Sequence, residues 1–131
     1  MSVSCFLIPF QPDEWETTKS DLKINPSELE NALLEKWPET IIYSEDARTT
    51  ELLLWRFNHK GGIGRLLSLM DDNQIVTLGI DDYNFEFIRW YRSFIHEKHP
   101  LFFTCSCYHE SYYLQILEST TESDLEQYYS R

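Results

Sequence analysis

Apolar and polar residues alternate along the middle of the chain and then change period, and the change divides the chain into elements. Residues 40–44, 51–58, 65–70 and 74–80 are rich in Ile, Leu, Val and Trp and are separated by turn formers such as Asp71-Asp72-Asn73. Alternation with period two predicts strands, and short polar reversals join them as an antiparallel meander. Ahead of them, the apolar run over residues 3–10 ends at Pro9 and Pro12, as an edge strand or a strand tip would. Polar residues 13–23 form a connector whose exception, Trp15, is expected to cap a core.

Two segments switch to helical spacing. Asn25-Pro26-Ser27-Glu28 combines an Asx N-cap, Pro at the first helical position and a Glu placed to reach back. Leu29, Ala32, Leu33 and Trp37 follow on one stripe, which Pro38 ends. The wider stripe is Tyr83, Phe87, Trp90, Tyr91 and Phe94, capped by Asp81 or Asp82, with Glu86, Arg89, Arg92 and Ser93 expected on the solvent side. After Pro100, residues 101–107 and 112–117 predict a hairpin around Tyr108-His109-Glu110-Ser111. Ser119-Thr120-Thr121-Glu122 resembles a capping box opening a short helix that buries Leu125 and Tyr128 or Tyr129. The order predicts one α+β domain over residues 1–131: an antiparallel, meander-rich sheet with two or three helices packed on one face.

Charge narrows the partners. Eleven Lys and Arg stand against 22 Asp and Glu, a net charge of -11 that repels phosphate backbones and anionic membranes and attracts basic proteins. Neither nucleic acid nor membrane is therefore an expected partner. No uninterrupted apolar stretch is long enough to cross a bilayer. Three cysteines cannot all pair within the chain, and Cys105 and Cys107, two apart on one strand, have poor disulfide geometry, so reduced thiols and a cytoplasmic location are expected.

Candidate chemistry is sparse. His96-Glu97-Lys98-His99 followed by Cys105, Cys107 and His109 offers the imidazoles and thiols that zinc or copper(I) requires. The first two histidines lack the spacing of a zinc-protease helix, however, and strand alternation puts Cys105 and Cys107 on the face of Leu101 and Phe103, where cysteines act as small hydrophobes. Cys107 and His109 share a face as a nucleophile and base would, but at the end of an apolar strand. The run Gly61-Gly62-Ile63-Gly64-Arg65 lacks phosphate-loop spacing and reads as a hairpin turn using φ > 0. Paired acids such as Asp71-Asp72, Asp81-Asp82 and Glu45-Asp46 fall where turns and caps explain them. No cofactor is expected.

An aromatic content of 15% exceeds what one core needs, so some rings are expected at the surface. Trp15, Trp55, Arg89, Arg92, Tyr108, Tyr112 and Tyr113 are of the types that dominate interface energies, and a share of them is expected in the core.

Leu33-Leu34-Glu35-Lys36-Trp37-Pro38, Trp90-Tyr91-Arg92-Ser93-Phe94-Ile95, Pro100, Leu101-Phe102-Phe103 and Tyr112-Tyr113-Leu114 together resemble a small uncharacterised bacterial protein family over residues 27–117. The resemblance implies a fold and carries no catalytic signature. Some acidic domains of this size and architecture are also similar to bacterial toxin-immunity proteins, an analogy of fold only. The expected function is non-enzymatic protein binding, possible sites being Arg89, Arg92, Tyr108, Tyr112 and Tyr113. The alternative is a small metal- or ligand-binding enzyme centred on Cys105, Cys107 and His109, and a third reading is a homodimer pairing through a strand edge or aromatic patch.

Overall fold

The computed structural model describes residues 4–15, 17–43, 51–57, 62–69, 72–79, 84–109 and 111–130. Among them, β1 (Ser4–Ile8) is followed by a 3-10 turn (Pro12–Glu14), α1 (Pro26–Lys36), β2 (Ile41–Tyr43), β3 (Glu51–Arg56), β4 (Ile63–Ser68) and β5 (Gln74–Gly79). Then come α2 (Asn84–Phe94), β6 (Phe102–Cys105), β7 (Leu114–Gln115) and α3 (Glu122–Tyr129). The fold is α+β, and among the described residues no helix is long and apolar enough to cross a membrane.

The strands form one antiparallel sheet in the order β2-β3-β4-β5-β1-β6-β7. The meander β2 to β5 and the hairpin β6–β7 follow the hydrophobic pattern. The position of β1 decides between an edge strand and a strand tip: it is no edge, since it lies between β5 and β6 with Leu7 opposite both Val76 and Phe103, and its prolines mark a strand tip. The prolines that suggested an edge follow the strand, which ends at Ile8, so they cost the ladder no donor.

Alternation sorts the strand residues into two apolar clusters. Cys5, Leu7, Leu53, Trp55, Leu66, Val76, Leu78, Phe103 and Cys105 join the large one with Leu29 and Leu33 of α1, Phe87, Ile88 and Tyr91 of α2, and Leu125 and Tyr128 of α3. Ile8, Phe10 and Ile75 form the small one, flanked by Phe6, Leu67 and Leu69. Trp55 is wholly buried and stands opposite Gly64 in the β3–β4 register. None of the described glycines has positive φ, so Gly64 is not a reversal residue as its sequence context suggested; it sits within β4 and leaves room for the indole.

The starts of α1 and α3 are satisfied locally. Asn25 Oδ1 accepts from the N–H groups of Ser27 and Glu28, and Pro26 occupies the first turn, where no donor is needed. The last helix begins two residues later than its sequence suggested: Thr121 is the N-cap, and its box partner is Asp124. The expected caps of α2, Asp81 and Asp82, and most of the glycine run lie outside the described residues.

The connector after the 3-10 turn is fixed by two buried amides at the start of β5. Asn73 Oδ1 accepts from Ser20 N–H while its Nδ2 donates to the Thr18 carbonyl. Gln74 bonds both the N–H and the carbonyl of Ile24. A polar stretch without secondary structure thus has its backbone groups paired by side chains. Asp72, at φ 57, makes the preceding turn, a conformation that Asp tolerates better than most residues.

Candidate functional site

The β1–β6 border and the segments crossing it gather the chemically distinctive side chains. On the small-cluster side, Phe6 stands opposite Thr104, and Phe6, Ile8, Pro12, Trp15, Ser106 and Tyr108 line an apolar groove of about 230 Å³. The 3-10 turn carries Trp15 to its rim, where the indole is 40% exposed and rests at 5.9 Å on Phe10. Trp15 therefore touches the core without being enclosed by it. Asp13 and Glu14, on the same turn, are exposed beside it. The groove's polar groups are engaged: the Thr104 hydroxyl donates to the Tyr112 carbonyl, and Ser106 Oγ accepts from Ser4 N–H. The floor consequently favours apolar contact over hydrogen bonding.

On the large-cluster side, tyrosines join the β6–β7 hairpin to α3. The register Phe103↔Leu114, continued by two residues, sets Cys105 facing Tyr112, but the strands have already diverged there. The Tyr128 hydroxyl fills the gap: it accepts from Cys105 N–H at 3.1 Å and donates to the Tyr112 carbonyl at 3.1 Å. Burial pushes its pKa up to about 12, so it stays a neutral donor. Tyr112 returns a bond to the Tyr128 carbonyl at 2.6 Å, Tyr108 donates to the Tyr129 carbonyl, and the Tyr112 and Tyr128 rings stack at 4.5 Å. Replacing Tyr128 with Phe keeps the ring and leaves the Cys105 N–H buried without this partner. The expected cost is about 1–3 kcal/mol, read as a lower urea midpoint at unchanged m-value.

The candidate residues separate. Tyr108 and Tyr112 are brought together at 5.0 Å, and half-buried Tyr113 meets Phe102 edge-on. Arg89 is exposed on α2, in a shallow groove with Lys36, Glu86, Trp90 and Ser93. Arg92, expected in solvent, is only 7% exposed, and its Nη2 donates to the His96 carbonyl beyond the end of α2. Trp55 belongs to the core.

The cysteines and histidines also part. The strand ends at Cys105, so Cys107 does not share its buried face as alternation suggested but lies exposed in the turn. His109, also exposed, turns Nδ1 to the Ser111 N–H and hydroxyl, and His96 Nδ1 accepts from Lys98 N–H. Among the described residues no group of three or more His, Cys, Asp or Glu side chains is placed to hold a metal ion. Cys105 instead meets Cys5, with the sulfurs 3.0 Å apart. The bond shared by the two thiols lowers the Cys5 pKa and, with burial, raises that of Cys105. Nothing local in the sequence marks this pairing, because it depends on β1 entering the sheet beside β6. No known protein family matches the chain, and neither the curated proteins nor the solved structures gave a significant match.

Proposed function

We propose that this protein is a non-enzymatic binding domain that captures a basic protein partner, with the groove at Trp15 receiving one apolar side chain and the surrounding acids meeting flanking Lys or Arg residues. The observation that carries this reading is the joint placement of an apolar groove, an exposed Trp and two exposed carboxylates on one 3-10 turn. Size supports a side chain as occupant, since the groove's 230 Å³ falls below the roughly 300–1,000 Å³ of clefts that hold drug-sized ligands. Charge supports a basic partner: besides Asp13 and Glu14, the exposed carboxylates of Glu28, Glu35, Glu122 and Glu126 contribute to the net -11.

In this reading the helices share one face of the sheet, consistent with their common apolar cluster, and leave the groove face to the partner. Free cysteines fit a reducing cytoplasm. A basic toxin is the kind of partner that the immunity analogy implies.

A short peptide carrying Phe between lysines serves as the probe. Because Trp15 contributes little to the interior, its replacement by Ala is expected to leave the fold intact and weaken peptide binding by about 2 kcal/mol, roughly thirty-fold in Kd. Reversing Asp13 and Glu14 to Lys is expected to remove most of the salt dependence. Equal calorimetric affinity of the native and Trp15→Ala proteins would sink the proposal.

A further inference from the structure

Cys5 and Cys105 are direct partners across β1 and β6. The flanking bond from Ser106 N–H to the Ser4 carbonyl makes theirs a non-hydrogen-bonded pair, the kind in which side chains approach most closely. Such pairs have Cα atoms about 4.5 Å apart, inside the range of roughly 4.4–6.8 Å that a disulfide spans. The sulfurs are already in contact at 3.0 Å, and the Tyr129 hydroxyl lies 3.6 Å from Cys5 Sγ and 3.9 Å from Cys105 Sγ. Both cysteines are free and buried, whereas Cys107, two residues on, is exposed.

We infer that Cys5 and Cys105 are an oxidisable dithiol, which a peroxide-class oxidant joins in a disulfide between β1 and β6. Cys5 is the attacking sulfur, because the hydrogen bond it shares with Cys105 at 3.0 Å and the Tyr129 hydroxyl at 3.6 Å favour its thiolate. The thiolate attacks one peroxide oxygen, the O–O bond breaks, and a Cys5 sulfenic acid and water form once a proton is taken up. Cys105 sulfur then attacks the sulfenic sulfur; the S–O bond breaks, and the hydroxide leaves as a second water with the Cys105 proton. Two thiols lose two electrons and two protons in total, and the peroxide becomes two waters. Burial beneath α3 makes the reaction wait on local opening, so it is slower than oxidation of Cys107.

The experiment treats the native protein with hydrogen peroxide, blocks the remaining thiols with N-ethylmaleimide in denaturant, and maps peptides by mass spectrometry. Expected is a peptide pair linking Cys5 to Cys105, abolished by reductant and retained in Cys107→Ser. The bond closes a long loop, so the oxidised protein is expected to unfold at higher urea than the reduced one, a shift that Cys105→Ser lacks. The inference is overturned if Cys5 and Cys105 both carry maleimide after Cys107 is fully oxidised, or if Cys107 is found in the intrachain link instead. The reading of the groove at Trp15 is unaffected by either result.

Discussion

Replacing Gly64 with Ala is expected to destabilise the fold by about 3 kcal/mol, at the upper end of what one added methyl costs in a filled core. A Cβ there would stand 2.4 Å from Trp55 Cε2 and Cζ2 and 2.6 Å from Nε1, distances that no pair of non-bonded atoms sustains. The indole cannot swing aside, because Trp55 is fully buried and meets Phe57 and Phe87. Thermal unfolding should move down by on the order of 10 °C. Trp55→Phe gives the control: it shortens the ring and removes an Nε1 that has no hydrogen-bond partner among the described residues, so Gly64→Ala should cost markedly less in that background. Equal costs in both backgrounds would mean that the glycine serves something other than the indole.

Phe87→Ala should be at least as damaging, by about 3–5 kcal/mol. Phe87 is fully buried, and its ring meets Trp37, Trp55, Phe57, Trp90 and Tyr91 at centroid distances of 5.5–6.1 Å. Removing it takes the shared neighbour from the end of α1, from β3 and the residue after it, and from α2 at once. Phe87→Leu refills much of the volume and is expected to lose only part of that stability. Urea titrations of the two variants decide the matter: a small loss in Phe87→Ala would show that the surrounding rings collapse into the space.

How much of this was legible follows from the range of each interaction. α1 was readable because its start and stop are local: Asn25 caps its own helix, Pro26 fits the first turn, and Pro38 follows the last. The strands from Glu51 to Gly79 and the final hairpin were readable from alternation and short turns. Insertion of β1 between β5 and β6 was not, since it joins residues some seventy to one hundred positions apart and no local pattern encodes such pairing. The contact of Cys5 with Cys105 was hidden for the same reason. Arg92 misled because charge predicts exposure, whereas a carbonyl beyond its helix end satisfied it in the interior.

The groove was half legible. Tyr108, Tyr112 and Trp15 were recognisable as interface-type residues, but the first two spend their hydroxyls fastening α3 to the hairpin. Only the fold shows that Trp15 is held at a rim between Phe10 and solvent, on the turn that also exposes Asp13 and Glu14.

The most direct test of the groove follows backbone amide and indole N–H resonances while lysine-flanked and glutamate-flanked Phe peptides are added at low and high salt. Binding at the proposed site shifts the Trp15 indole and the amides of Phe6, Ser106 and Tyr108 with the lysine-flanked peptide, more strongly at low salt, and leaves them still with the glutamate-flanked one. Shifts located elsewhere, or equal shifts with both peptides, would contradict an apolar groove flanked by acids that receives a basic partner.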